Sequence, residues 1–199
     1  MVRQAGGSGG EFYVFAFVNS KNRRTTQSRL GNSANLTSAA ALMNSNETRD
    51  NPGVIAFPPL IWLVGALMSG LVHFLFPHRM SDRSLLLPLG IALAVLAPST
   101  VAWAAITMRA AGTNVDPAKP ALIIVRKGPY RLTRNPMYLA LCLLQIALSF
   151  ILNDWITLLF VIPLALVLHY GVILREERYL EAKFGEPYLA LKRQVRRWI

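Results

Sequence analysis

Four long apolar stretches follow one another along the chain, with short polar segments between them. They are residues 54–76, 85–108, 136–152 and 155–174. Each falls within the range of about 17 to 25 mainly apolar residues that an α-helix needs to cross a bilayer. The pattern therefore predicts an all-α fold: a polytopic membrane protein with four transmembrane helices.

The last two stretches are separated only by Asn153 and Asp154. A connection this short predicts that the third and fourth helices form a tight antiparallel hairpin within the membrane. Pro58 and Pro59 stand near the start of the first stretch, and Pro98 stands inside the second. Proline removes a backbone donor, so Pro98 predicts a kink in the second helix.

The rest of the chain is polar. Residues 1–50 are rich in Gly, Ser and Asn without helical periodicity, which predicts a mostly disordered amino-terminal segment. Residues 51–199 are the predicted membrane domain. Its last part, residues 175–199, is charged and is predicted to form an amphipathic carboxy-terminal helix.

Composition and charge support a membrane protein. The chain is 53% hydrophobic and 16% charged, and its net charge is +11. Lys and Arg number six in residues 1–53, two in 77–84, six in 109–135, none in 153–154 and seven in 175–199. With both termini in the cytoplasm, 19 of the 21 lie on the cytoplasmic side, as the positive-inside rule favours. The distribution of basic residues therefore indicates how the protein is oriented in the membrane. It does not indicate a nucleic-acid partner.

The sequence contains a single cysteine, Cys142. One cysteine excludes an intramolecular disulfide and a cysteine-rich metal site. We predict no metal centre.

The stretch "RKGPYRLTRNPMY", residues 126–138, carries four positive charges and no acid directly before the third apolar stretch. Pro136 predicts a helix start there, because proline suits the first position of a helix. Free amides at that start, together with Arg134, favour an anion. The alternative is ordinary: interfacial Arg, Lys and Tyr residues contact lipid phosphates in many membrane proteins.

A second charged stretch, "REERYLEAKFGEPY", follows the fourth apolar stretch, at residues 175–188. The predicted hairpin brings Glu176 and Glu177 close to Arg134 and Asn135. One side then offers donors for a carboxylate, and the other offers acceptors for an ammonium group or hydroxyls. That combination suits a zwitterionic, nucleoside-like cofactor.

These two stretches, in this order around a two-helix hairpin, resemble the superfamily of isoprenylcysteine carboxyl methyltransferases and phospholipid methyltransferases. The resemblance covers about residues 110–190 and implies S-adenosylmethionine as methyl donor in a cytoplasmic cofactor pocket. It implies catalytic roles for Arg134, Asn135 and Glu177. The residues that it implies for cofactor binding are Leu122, Ile123, Ile124, Val125, Tyr130, Asn135, Pro136, Met137, Tyr138 and Glu176.

The chain departs from the pattern of the eukaryotic carboxyl methyltransferases at two positions. Asn135 stands where those enzymes usually have His, so an imidazole-dependent role is excluded. Val172 stands where they have an Arg that contacts the substrate, and the nearby Arg175 does not match that position.

The expected function is methyl transfer to a lipophilic acceptor that enters from the bilayer, such as a carboxylate. An ionised carboxylate needs no base, whereas an amine of the phosphatidylethanolamine type needs one, for which Glu177 is the nearest candidate. Phospholipid N-methylation is therefore the alternative. A non-catalytic module that binds a lipid or a partner protein is a third reading, and no pair of broken helices supports a transporter.

Overall fold

The computed structural model describes residues 50–81 and 83–199, and apart from Asp50 the predicted polar segment lies outside them. The described residues are helical and contain no strand. A 3-10 turn occupies Gly128–Arg131, and a π-helical turn, His169–Ile173, joins α5 to α6. The helices are α1 (Pro58–Leu75), α2 (Arg83–Ala110), α3 (Pro136–Leu152), α4 (Trp155–Leu159), α5 (Val161–Leu168), α6 (Leu174–Phe184) and α7 (Glu186–Gln194).

Three helical stretches among these residues are long and apolar enough to cross a membrane: Pro58–Leu75, Ser84–Ala110 and Trp155–Phe184. The last is continuous from α4 through the π-helical turn to α6. Large apolar side chains such as Leu67, Phe74 and Val95 are exposed on the outer faces of α1 and α2. Exposed apolar faces of this kind fit a lipid environment. The fourth predicted span, α3, is apolar but only 17 residues and about 25 Å long, so four spans stay a prediction.

Prolines set where two helices begin. Helix α1 begins at Pro58 and not at residue 54, because Phe57 before it is extended, with φ −63° and ψ 121°. A residue before proline disfavours the helical conformation. Helix α3 begins at Pro136, as predicted. Helix α2 continues through Pro88 and Pro98.

The connection between α3 and α4 is a compact polar cluster. Asn153 takes the left-handed conformation (φ 54°), and the Asp154 carboxylate caps α4 by accepting from the Thr157 amide at 2.7 Å. The same carboxylate accepts from the His78 amide at 2.8 Å, and Asn153 Oδ1 accepts from the amide of Met80 at 3.2 Å. These bonds fix the loop before α2 against the start of α4. The antiparallel membrane hairpin stays a prediction.

A buried glutamine connects three helices. Gln145 of α3 is fully buried, and its Nε2 donates to Ser69 Oγ of α1 at 3.1 Å and to the Thr157 carbonyl of α4 at 3.3 Å. Hydrogen bonds between helices hold polar groups in an apolar interior. The apolar core is formed by Tyr138, Leu141, Cys142, Leu164, Leu168, Val172 and Ile173.

The π-helical turn lies directly before the two predicted site acids. The carbonyl of Gly171 accepts from the Ile55 amide at 3.2 Å, so the segment before α1 runs against this turn. A Cβ on Gly171 would lie 2.3 Å from Ile55 Cδ1. A larger residue at this position would therefore require the Ile55 side chain to move.

The predicted single helix over residues 175–199 is wrong: the structure has two helices and a non-helical tail. Gly185 separates α6 from α7 with φ 58° and ψ −130°, a conformation that glycine alone adopts at low cost. Pro187 follows in the first turn of α7. The break turns α7 back towards the start of α3, as the contacts below show.

Candidate functional site

A cleft lies between the loop at residues 113–125, the start of α3, and helices α6 and α7. The predicted site residues that line it are Ile123, Ile124, Val125, Tyr130, Arg134, Asn135, Pro136, Met137, Tyr138, Glu176 and Glu177. Leu122, which is 55% exposed, is the predicted site residue that does not line it. The structure thus brings together two stretches that are about forty residues apart in the sequence.

Arg134 has the most informative environment in the cleft. Its side chain is only 8% exposed, and its Nη2 lies 3.1 Å from Glu177 Oε1. Its Nε and Nη1 are buried and form no hydrogen bond of normal geometry among the described residues. The neutral Tyr188 phenol lies close enough to interact with the guanidinium, but it does not compensate its charge. Buried donors without partners are costly, because they have lost their bonds to water. Nε and Nη1 lie on opposite edges of the guanidinium, and each shares its edge with Nη2. A planar anion such as a carboxylate can therefore be held at one edge, by Nε or Nη1 together with the second hydrogen of Nη2.

Glu177 pairs with two arginines. It is buried, and Arg197 donates to both of its oxygens, from Nε at 2.9 Å and from Nη2 at 2.7 Å. These hydrogen bonds raise the pKa of the Arg197 guanidinium. Because Arg134 also contacts Oε1, one carboxylate is shared by two cations, and the cluster keeps a net positive charge.

Asn135 is fixed by the end of the chain. Its Nδ2 donates to the Arg197 carbonyl at 2.9 Å, and its amide donates to Thr133 Oγ1 at 3.1 Å. Asn135 is 7% exposed and immediately precedes α3. The side chain therefore has one fixed orientation at the cleft wall.

Glu176, on α6, is hydrogen-bonded to the start of α3. Tyr138 donates to its Oε1 at 2.5 Å, which joins α6 to the first turn of α3. Oε2 of Glu176 forms no hydrogen bond within residues 50–81 and 83–199. The cleft is thus lined by an open carboxylate oxygen of Glu176, on α6, and by the two open donors of Arg134, before α3.

Two tyrosines at the cleft stay neutral at physiological pH. Burial raises the pKa of the Tyr130 phenol, and the charge of Glu176 raises it further. Burial also raises the pKa of Tyr188, and here Glu177 adds to the effect. Both phenols can donate or accept hydrogen bonds, and neither adds negative charge.

Hydrogen bonds from two sides hold the loop that forms the third wall. The Leu122 amide donates to Thr113 Oγ1 at 2.9 Å, and the Ala121 amide donates to the Tyr179 hydroxyl of α6 at 3.1 Å. Gly128 has a positive φ of 57°, and a Cβ there would lie 2.7 Å from Thr107 Oγ1. After the loop, the chain therefore runs close to the end of α2 at Gly128 before it reaches Tyr130.

Neither Val172, which departs from the carboxyl methyltransferase pattern, nor the nearby Arg175 places a cation in the cleft. Val172 is fully buried in the apolar core. The Arg175 side chain is turned towards the segment before α1 and donates to the Gly53 carbonyl at 2.8 Å. The substrate-contacting arginine of those enzymes thus has no counterpart at either position.

Several cleft residues were not predicted from the sequence. Thr113, Asn114, Tyr179 and Tyr188 line the cleft, and Arg197 holds Glu177. Gly185 followed by Pro187 was the available signal for α7, because this pair indicates a helix break and a reversal that returns Tyr188 to the site. No feature of the sequence predicted the role of Arg197, since the basic residues of "RRWI" at the end of the tail resemble any solvated run of charges.

Comparison with known proteins shows the family of the chain. A family model described as phospholipid methyltransferase matches residues 85–187, just over half of the chain. The matched segment contains both Arg134 and the Glu176–Glu177 pair. An uncharacterized protein of Haemophilus influenzae is 44% identical over 63 residues, which are 32% of this chain and the whole of that protein.

We predict that Glu177→Ala destabilises the protein by about 3–5 kcal/mol, because it leaves the buried Arg134 guanidinium without its acidic partner. Thermal or denaturant unfolding of the protein in detergent measures the change. Glu186→Ala is the matched control: its partner is Arg193, and both side chains are more than 60% exposed. That exposed pair contributes at most about 1 kcal/mol. Equal loss of stability in the two variants would contradict the prediction.

Proposed function

Because the chain belongs to the phospholipid methyltransferase family, we propose that it is a membrane methyltransferase that uses S-adenosylmethionine and methylates a lipophilic acceptor. The observation that carries this proposal is the pair of buried, unpartnered donors on Arg134. One of these donors, together with the second hydrogen of Nη2, matches the carboxylate of an amino-acid-like ligand in charge and in planar geometry.

The other walls fit the rest of such a ligand. The open oxygen of Glu176 can accept a hydrogen bond from an ammonium group or a ribose hydroxyl. Ile123, Val125 and Met137 offer apolar surface for an adenine ring. A cleft with mostly apolar walls and a few convergent polar groups is typical of small-molecule sites.

When bound, S-adenosylmethionine supplies an electrophilic methyl group on a sulfonium, which departs as a neutral thioether. The residues of this chain act by position. Arg134 fixes the carboxylate end of the ligand, and Glu176 fixes a second point at the opposite wall. Two fixed points orient the reacting centre, and orientation alone lowers a barrier by several kcal/mol.

The acceptor is the next part of the proposal. Both oxygens of Glu177 already accept from arginine, so this carboxylate is poorly placed to take a proton from an amine. A carboxylate acceptor needs no base, since it is ionised at neutral pH. We therefore favour a lipophilic carboxylate, and Glu177 then positions Arg134. Its role as a catalytic base stays a prediction, and so does that of Asn135 in catalysis.

Phospholipid N-methylation is the second candidate, and the name of the matching family favours it. An ammonium head group would have to lose a proton before it could attack. Glu176 is the cleft acid with an open oxygen, so in this case it is the better base than Glu177. The two candidate reactions give products that differ in stability towards mild base, so this property distinguishes them.

The location of the site is proposed from charge. The cleft is built by the basic segments 109–135 and 175–199, which the positive-inside rule assigns to the cytoplasm. Both termini and the cofactor entrance then face the cytoplasm, and the acceptor enters from the inner leaflet. The number of spans and this orientation are part of the proposal.

We predict that the purified chain binds S-adenosylmethionine, and that Arg134→Gln or Glu176→Gln weakens binding about 10- to 100-fold. Each change removes one charge-assisted contact, worth about 1.5–3 kcal/mol. Isothermal titration calorimetry in lipid nanodiscs measures the affinity. Arg193→Gln is the control for Arg134→Gln, because Arg193 pairs with Glu186 away from the cleft. Absence of binding by the unaltered chain would favour the non-catalytic module.

A second prediction concerns the acceptor. Incubation with methyl-labelled S-adenosylmethionine and a total lipid extract should give a lipid-soluble product that loses its label in mild base, as a methyl ester does. A base-stable product that runs with N-methylated phospholipids would contradict the carboxylate assignment and support the alternative. The Arg134→Gln variant should give neither product at a comparable rate.

A further inference from the structure

Arg196 and Arg197, near the end of the chain, are hydrogen-bonded to the three residues that precede α3. The Arg134 amide donates to the Arg196 carbonyl at 3.0 Å. The Arg197 carbonyl accepts from Thr133 Oγ1 at 3.0 Å and from Asn135 Nδ2 at 2.9 Å. These bonds use backbone carbonyls of the tail, so they do not depend on the identity of its side chains.

The side chain of Arg197 has a separate task. Its guanidinium donates to both oxygens of Glu177, and in this arrangement Arg134 reaches Glu177 with Nη2 alone. The two remaining donor groups of Arg134, Nε and Nη1, are the ones left unpartnered at the cleft. The fork of Arg197 therefore limits how much of Glu177 is available to Arg134.

We infer that Arg197 is a positioning residue: it occupies Glu177 and so keeps the Arg134 guanidinium open to a carboxylate ligand. This inference rests on the proposed function, in which that ligand is the carboxylate of S-adenosylmethionine. Arginine and carboxylate prefer a two-bond, fork-to-fork geometry. Without Arg197, Glu177 can offer both oxygens to Arg134 and compensate its whole charge.

Two consequences follow from the geometry. A second hydrogen bond from Arg134 to Glu177 would turn one of the two open donors away from the cleft. The net charge of the cluster would also fall from +1 to zero, because one cation is removed and the acid remains. Both effects weaken the hold on a ligand carboxylate, whereas the lower positive charge does not weaken the hold on cationic groups elsewhere in the cleft.

A purely structural role for Arg197 would have a different signature. Loss of a tail anchor would loosen the cleft as a whole and weaken every ligand to a similar degree. Selectivity for the carboxylate thus separates positioning from anchoring. Decarboxylated S-adenosylmethionine is the suitable probe, because it keeps the nucleoside, the sulfonium and the amine and lacks only the carboxylate.

The experiment compares the affinities of S-adenosylmethionine and its decarboxylated analogue for the full chain in nanodiscs, with Arg197 unaltered and with Arg197→Gln. We expect Arg197→Gln to weaken the first about tenfold and not to weaken the second, whose two cationic groups meet less positive charge. Arg193→Gln, in the exposed pair with Glu186, should change neither. Equal weakening of both ligands, or no change in either, would overturn the inference.

Two further variants keep the test decisive. Arg197→Lys retains the charge but cannot form the fork, so it should lose part of the carboxylate selectivity and serves if Arg197→Gln does not fold. Adding Glu177→Gln to Arg197→Gln removes the acid that competes for Arg134, so selectivity should recover; absence of recovery would contradict the competition. If the unaltered chain binds neither ligand, the proposed function itself fails, whereas equal weakening overturns the role of Arg197 alone.

Discussion

The carboxylate of Glu177 lies between the guanidinium groups of Arg134 and Arg197, and three segments that are distant in the sequence meet around it. A buried charge is tolerated only when it is paired and hydrogen-bonded. The loop before α3, helix α6 and the end of the chain must therefore come together if any of the three charges is to be buried. The cleft is the space that this convergence leaves between them.

The pairing leaves some polar atoms of the cleft without partners, and these atoms can bind a ligand. Two donors of Arg134 stay without partners, while Glu176 keeps an open oxygen on the other wall. Buried donors of a charged guanidinium are costly when they lack acceptors, so a ligand that accepts from them would stabilise the cleft. In the proposed function the cluster is thus a preformed half of a binding site, completed by an amino-acid-like cofactor.

Part of this could be predicted from the sequence. Apolar length and proline position predicted the start of α3 at Pro136, and the resemblance predicted most of the cleft lining. Hydropathy could not predict the helix break at Gly185 or the return of Tyr188, because these depend on one backbone conformation. Nor could it predict Arg197, whose partners are 20 and 62 residues away. Contacts of this kind follow from tertiary packing and leave no local pattern.

The central claim is that this cleft binds S-adenosylmethionine, and photo-cross-linking locates the ligand most directly. The protein in nanodiscs is irradiated with methyl-labelled S-adenosylmethionine, digested, and the labelled peptides are identified by mass spectrometry. The account predicts label within residues 123–138 or 176–191, displaced by unlabelled S-adenosylhomocysteine. Label confined to α1 or the middle of α2, or label that the competitor does not displace, would contradict it.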